Sequence, residues 1–99
     1  MDRPVDRPAA TSTLLIDDGR VRVTRWDFVA GAHTGWHRHG FDYVVVPMTD
    51  CHFLIEETGG SRKVDVGAGA AYRRDVGVEH NVINGGDGPM SFIEIEMKG

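Results

Sequence analysis

Hydrophobic and polar positions alternate along most of this chain, and a period of two marks strands with one face covered by a core. Arg20-Val21-Arg22-Val23-Thr24-Arg25 is the plainest case. Met90–Met97 is another, with Ile93, Ile95 and Met97 on one face and Phe92, Glu94 and Glu96 on the other. Thr13–Ile16 predicts a short apolar strand, closed by the turn Asp17-Asp18-Gly19. After Arg25, Trp26 and Phe28 fall out of step with Val21 and Val23, which predicts a switch of buried face. Tyr43–Val46 stops at Pro47, which has no N–H to give a ladder. Cys51–Glu56 returns as its hairpin partner, and Arg62–Val66, Ala70–Arg73 and His80–Asn84 follow, punctuated by glycine-bearing turns. Gly85-Gly86-Asp87-Gly88-Pro89 is a loop. The whole predicts about nine or ten short strands and no helix: an all-β domain, closed as a barrel or double-sheet jelly roll so that edges are not left open.

Composition narrows this picture. Ninety-nine residues hold one core, and the thirteen glycines suit a chain of short strands and turns. A domain of this size buries only about two-thirds of its unfolded surface, so a bound metal or a partner subunit would add stability. A homodimer is therefore expected. Residues 1–11, with Pro4 and Pro8 among charges, form an arm that frays or orders only against a partner, leaving 12–99 as the barrel. Net charge is −4 and the Lys and Arg residues are scattered. No basic stripe predicts nucleic-acid binding, and no cationic amphipathic helix or long apolar run predicts membrane contact. With no signal-peptide pattern, the expected location is cytoplasmic. Cys51 is alone and reads as an ordinary strand residue; Trp26 and Trp36 read as core or interface filling.

Chemistry concentrates between Gly31 and Pro47. His37 and His39 lie one residue apart ahead of a β-branched run, so on a strand both imidazoles face the same way and can reach one cation. The same parity turns Tyr43 and Val45 inward and Arg38, Asp42 and Val44 outward. Two ligands do not make a metal site, and His80, at the head of the strand after the Gly77 turn, is the candidate third. His33 reads as a loop histidine, and His52, sharing a face with Glu56, as solvent-facing. Of Arg73 and Arg74, parity aims one into the barrel, where a guanidinium would hold a carboxylate through two hydrogen bonds.

These residues resemble the two motifs of the cupins. The first motif asks for Gly, five residues, His-x-His, three or four residues, Glu, six residues, Gly; Gly31, His37 and His39 match, while Tyr43 stands at the glutamate position and no glycine follows at the usual place. The second asks for Gly, five residues, Pro-x-Gly, two residues, His, three residues, Asn; Gly69, Gly77, His80 and Asn84 match, with Asp75 for the proline. The wording around His-Arg-His and Asp-Tyr-Val-Val-Val-Pro is also similar to small cupins of β-alanine degradation clusters. The resemblance implies a single-domain cupin barrel with one divalent ion on His37, His39 and His80. Three neutral imidazoles suit Fe(II), favoured here, or Ni, Cu, Zn or Mn, better than Mg or Ca. Similar three-His cupins are dioxygenases, which implies an oxidoreductase acting on a small anionic metabolite, with Tyr43 as hydrogen-bond donor. A non-catalytic metal-dependent ligand-binding module is the alternative, as is a metal-free isomerase or epimerase using His80 or Tyr43 as acid or base.

Overall fold

The computed structural model describes residues 6–99; the first five residues of the expected arm lie outside the described residues. Among the described residues there are nine strands and no helix: β1 (Thr11–Asp17), β2 (Val21–Phe28), β3 (His37–Arg38), β4 (Asp42–Pro47), β5 (Cys51–Glu57), β6 (Gly60–Val66), β7 (Tyr72–Arg74), β8 (Glu79–Asn84) and β9 (Met90–Met97). They form two antiparallel sheets, one ordered β1-β2-β9-β4-β7 and the other β3-β8-β5-β6. Strands distant in sequence pair side by side, so the inner faces enclose one core, the double-stranded β-helix of a jelly roll.

Register makes the inner face of the five-stranded sheet readable as rows. Phe28 lies opposite Met90, and Trp26 opposite Phe92, which lies opposite Pro47. The next row is Thr24, Glu94, Val45 and Tyr72, and the last is Arg22, Glu96, Tyr43 and Arg74. The face therefore grades from aromatic to charged. At the aromatic end Phe92 stacks on Phe28 (centroids 5.5 Å apart) and meets Phe53 edge-on (5.7 Å) from the other sheet. Offset and edge-on ring contacts of this kind add roughly 0.5–1.5 kcal/mol each beyond their buried area. Cys51 is fully buried there, its thiol beside the Ser91 carbonyl.

The expected switch of face in β2 does not occur. The ladder from Val21–Met97 to Phe28–Met90 runs without a bulge, so Thr24, Trp26 and Phe28 share the inner face while Val21 and Val23 face out. Apolar residues on both faces, rather than a kink, produced the change of step. A real irregularity falls in β1, between Leu14 and Ile16. Every residue of β1 is exposed, Leu14, Leu15 and Ile16 included. Just before it, the Ala10 N–H donates to the His33 carbonyl and the His33 N–H to that of Pro8.

Candidate metal centre

Strand β3 is only two residues long, and its pairing with β8 sets His37 directly opposite His80. The chain then continues past His39, whose N–H donates to the Val78 carbonyl and whose carbonyl accepts from Gly77 N–H. Gly77 has φ +93°, the left-handed conformation that lets this turn close without strain. One short ladder thus fixes all three histidines. Their Nε2 atoms converge: His37 to His39 2.9 Å, and His39 to His80 3.1 Å. The three rings lie roughly perpendicular to one another.

Two of the three rings have a partner that orients them. His37 Nδ1–H donates to the Gly35 carbonyl (2.9 Å), an acceptor only, so the lone pair is left on Nε2. His39 is stacked on Tyr43, centroids 3.8 Å apart and planes 17° apart, and its Nδ1 faces Glu94 Oε1 at 3.7 Å. His80 Nδ1 is buried and has no hydrogen-bond partner among the described residues. Burial drives the His39 pKa down to about 3 and that of His80 to about 4, with the neighbouring His37 adding to both. Neutral imidazoles with lone pairs aimed at one point are the donor set of a first-row divalent ion, and the residues present fit such a group.

The wall around the histidines is part apolar, part charged. Tyr43 is buried, its hydroxyl without a partner among the described residues, and burial pushes its pKa up. Arg74 lines the cavity and lies 3.7 Å from Glu57, while Arg73 faces the other way, exposed beside Asp75. Tyr72, across from Val45, has its pKa raised by burial to about 12. A second hollow of about 560 Å³ shares Ile55, Tyr72 and Arg74 with this cavity and is lined further by Arg62, Val64 and Val66. Burial lifts the Glu94 carboxyl to about 7, although Trp26 Nε1–H donates to its Oε2 at 3.3 Å.

Several placements were not foreseen. Glu94 and Trp26 line the cavity; the alternation of β9 separated Glu94 from Ile93 and Ile95 but did not tell which side was inside. Asn81 ties the approach to β3: its Oδ1 accepts from Gly35 N–H (2.9 Å) and its Nδ2 donates to Glu56 (2.8 Å). Asn84 closes the 85–89 loop, donating to Gly88 O (2.8 Å) and accepting from Gly86 N–H (3.0 Å). His33 is half-buried on Asn81 rather than free in a loop, and His52 is exposed beside Asp65.

A two-sheet barrel whose adjacent strands converge three histidines on one interior point is the cupin arrangement, and this chain belongs to the cupin superfamily. It is 50% identical to a cupin domain from Bordetella pertussis whose crystal structure superposes at a TM-score of 0.92, over 96% of this chain and 99% of that one. It is also 51% identical, over 93% of its own length and 97% of the other's, to the β-alanine degradation protein BauB of Pseudomonas aeruginosa. A double-stranded β-helix protein from Klebsiella pneumoniae, 17% identical at a TM-score of 0.76 over 98% of this chain and 83% of that one, shares the fold alone. No family model matches the chain.

Proposed function

We propose that this cupin is a metal-dependent oxidoreductase, dioxygenase-like, holding one Fe(II) on His37, His39 and His80 and acting on a small anionic metabolite. The observation that carries this reading is the convergence of three imidazoles, His39 and His80 buried and His37 half-buried, with the Nε2 of His39 2.9 Å from that of His37 and 3.1 Å from that of His80. A redox-active ion held by His37, His39 and His80 would supply the chemistry for activating dioxygen. The chain's own residues supply the rest. Arg74 points a guanidinium into the cavity and would anchor a substrate carboxylate, exchanging its contact with Glu57 for the ligand. The Tyr43 hydroxyl would donate to a substrate oxygen. Arg73, on the outer face, has no part in this role. The apolar walls, Val45, Phe53 and Ile55 among them, keep bulk water out.

The likeness to BauB supports a substrate from β-alanine breakdown, which fits a site with one inward arginine, because β-alanine is itself a short carboxylate. A metal-free isomerase is less well supported: a general acid or base works best with a pKa near the operating pH, and His80 and Tyr43 are shifted away from it in opposite directions. In this reading residues 12–99 are the catalytic barrel, in the cytoplasm. The preceding arm and β1 join a second copy in a homodimer, since β1 exposes Leu14, Leu15 and Ile16.

Metal analysis of protein purified without a His-tag column, with oxygen uptake on a panel of short carboxylates, tests the proposal. Expected are up to one iron per chain and oxygen consumption with at least one acid. Iron-replete protein that consumes no oxygen with any of them would leave only the ligand-binding module; absence of metal would overturn the reading.

A further inference from the structure

We infer that Glu94 is the positioning residue of the metal centre: a carboxylate supplied by β9 that backs His39, in a chain whose first motif has a tyrosine at its glutamate position. This rests on the metal reading of the three histidines and extends it to residues that the motif does not contain.

The geometry is specific. A neutral imidazole that offers Nε2 to a metal carries its proton on Nδ1, and a buried N–H needs an acceptor. For His37 that acceptor is the Gly35 carbonyl. For His39 the charged group behind Nδ1 is Glu94, whose Oε1 lies 3.7 Å away, a contact longer than a hydrogen bond, with both side chains largely buried at 6% and 12% exposure. Glu94 is itself held from the far side, where Trp26 Nε1–H donates to Oε2. One carboxylate oxygen is therefore anchored and the other is turned towards the ring. Tyr43, flat against His39, blocks tilting of that ring. The result is a chain of groups, Trp26 to Glu94 to His39, running inward from β2 through β9 to the histidines.

Glu94 does not take the place of the missing ligand. It meets His39 at Nδ1, whereas the atoms that converge on the other histidines are the Nε2 atoms. A carboxylate so placed acts on the metal through the imidazole: it fixes tautomer and orientation and raises the ring's basicity, and losing such a partner commonly costs about 10–100-fold in metal affinity.

The test uses the full chain, Zn(II) as a diamagnetic probe and ¹⁵N-labelled histidine. Glu94→Gln keeps the shape and loses the charge; Glu94→Ala loses both. Zn(II) affinity should fall about 10-fold in the first and up to about 100-fold in the second. In the Zn(II)-loaded protein, Glu94→Gln should move the Nδ1–H resonance of His39 and leave that of His37 in place, since its acceptor is a backbone carbonyl. A change confined to packing would not single out one ring proton in this way. Trp26→Phe, which preserves the ring volume and frees Oε2, should move the same resonance by less. Wild-type affinity in both Glu94 variants, or an unmoved His39 signal, would overturn the inference while leaving the three-His site standing. Complete loss of Zn(II) in Glu94→Ala, equal to that in His80→Ala, would make Glu94 a direct ligand and overturn it as well. Failure of the wild-type protein to bind Zn(II) would instead remove the metal reading beneath it.

Discussion

Glu94 and Ile95 are neighbours in sequence and face opposite sides of the five-stranded sheet. On the inner side, Glu94 and Phe92 line the cavity with Trp26, Tyr43 and Arg74. On the outer side, Ile95 lies between Val23 and Val44, Ile93 opposite Arg25 and Val46, and Met97 opposite Val21. The usual pattern, apolar in and polar out, is inverted along part of this strand. Burying a carboxyl inside a barrel costs free energy, as the raised Glu94 pKa records. Leaving an aliphatic sheet face to water forgoes about 25 cal/mol for each Å² left uncovered. Each side of β9 thus departs from a plain structural optimum, and each departure has its own reading: chemistry inside, a partner outside.

The sharpest way to break this contrast is to remove the inner chemistry. His80→Ala leaves two imidazoles on one segment, which hold an ion far more weakly than a three-point set. Elemental analysis should find metal in the wild type and none in the variant, with the barrel still folded by circular dichroism. Metal content unchanged by this substitution would leave the inner face without its proposed role.

Next in size is the outer face. Ile16→Lys and Ile95→Lys put a charge where a second copy would bury an aliphatic face, while in the isolated subunit both positions reach solvent at least in part. Light scattering at micromolar concentration should show a dimer for the wild type and a monomer for each variant, with metal content untouched. A monomeric wild-type protein would refute the outer reading and spare the inner one.

A third test asks how strongly the inner groups oppose one another. His39 and His80 are held neutral in the metal-free fold, at about 3 and about 4, whereas in the unfolded chain they take protons below the ordinary 6.5. Glu94 goes the other way, folded at about 7 against 4.5 unfolded. Between pH 4.5 and 6.5 the unfolded chain therefore binds two protons more on the histidines and one fewer on Glu94, a net of one. Stability of the metal-free protein should rise with pH across that window by ~1.4 kcal/mol per unit, turn down above pH 6.5, where the unfolded histidines have lost their protons and folded Glu94 still holds its own, and level off as that carboxyl ionises near 7. Urea midpoints at half-unit steps measure the slope, and Glu94→Gln, which removes the opposing proton, should steepen it. A flat profile would contradict the burial of these three groups.

The smallest effect belongs to Tyr43. Its hydroxyl is buried without a partner, so Tyr43→Phe should leave metal content unchanged and stabilise the fold by on the order of 1 kcal/mol, while reducing turnover. Loss of metal in Tyr43→Phe would show the phenol to be a ligand.

By itself the sequence determined which residues of one strand share a face. Tyr43 and Val45 point inward together because β4 alternates with period two, a rule that needs only the local backbone. His37 and His39 join them across a break, since β3 ends at Arg38 and lies in the other sheet, so that convergence is tertiary. Asp-Gly and Gly-Gly turns and the single proline ending β4 set most strand limits for the same local reason. Tertiary structure decided which face is inside and which strands meet. In β2 the change of step between Val21–Val23 and Trp26–Phe28 suggested a switch of buried face, where the ladder to β9 shows an uninterrupted strand with apolar residues on both faces. Of the two adjacent arginines, pairing with β4 put Arg74 in the cavity and Arg73 outside. Glu94 reaches His39 only because β9 is inserted between β2 and β4 while β8 brings His80 beside His37. Pairings between strands so far apart in the chain are fixed by closing the barrel around one core, and no local pattern of hydrophobic and polar residues encodes that closure.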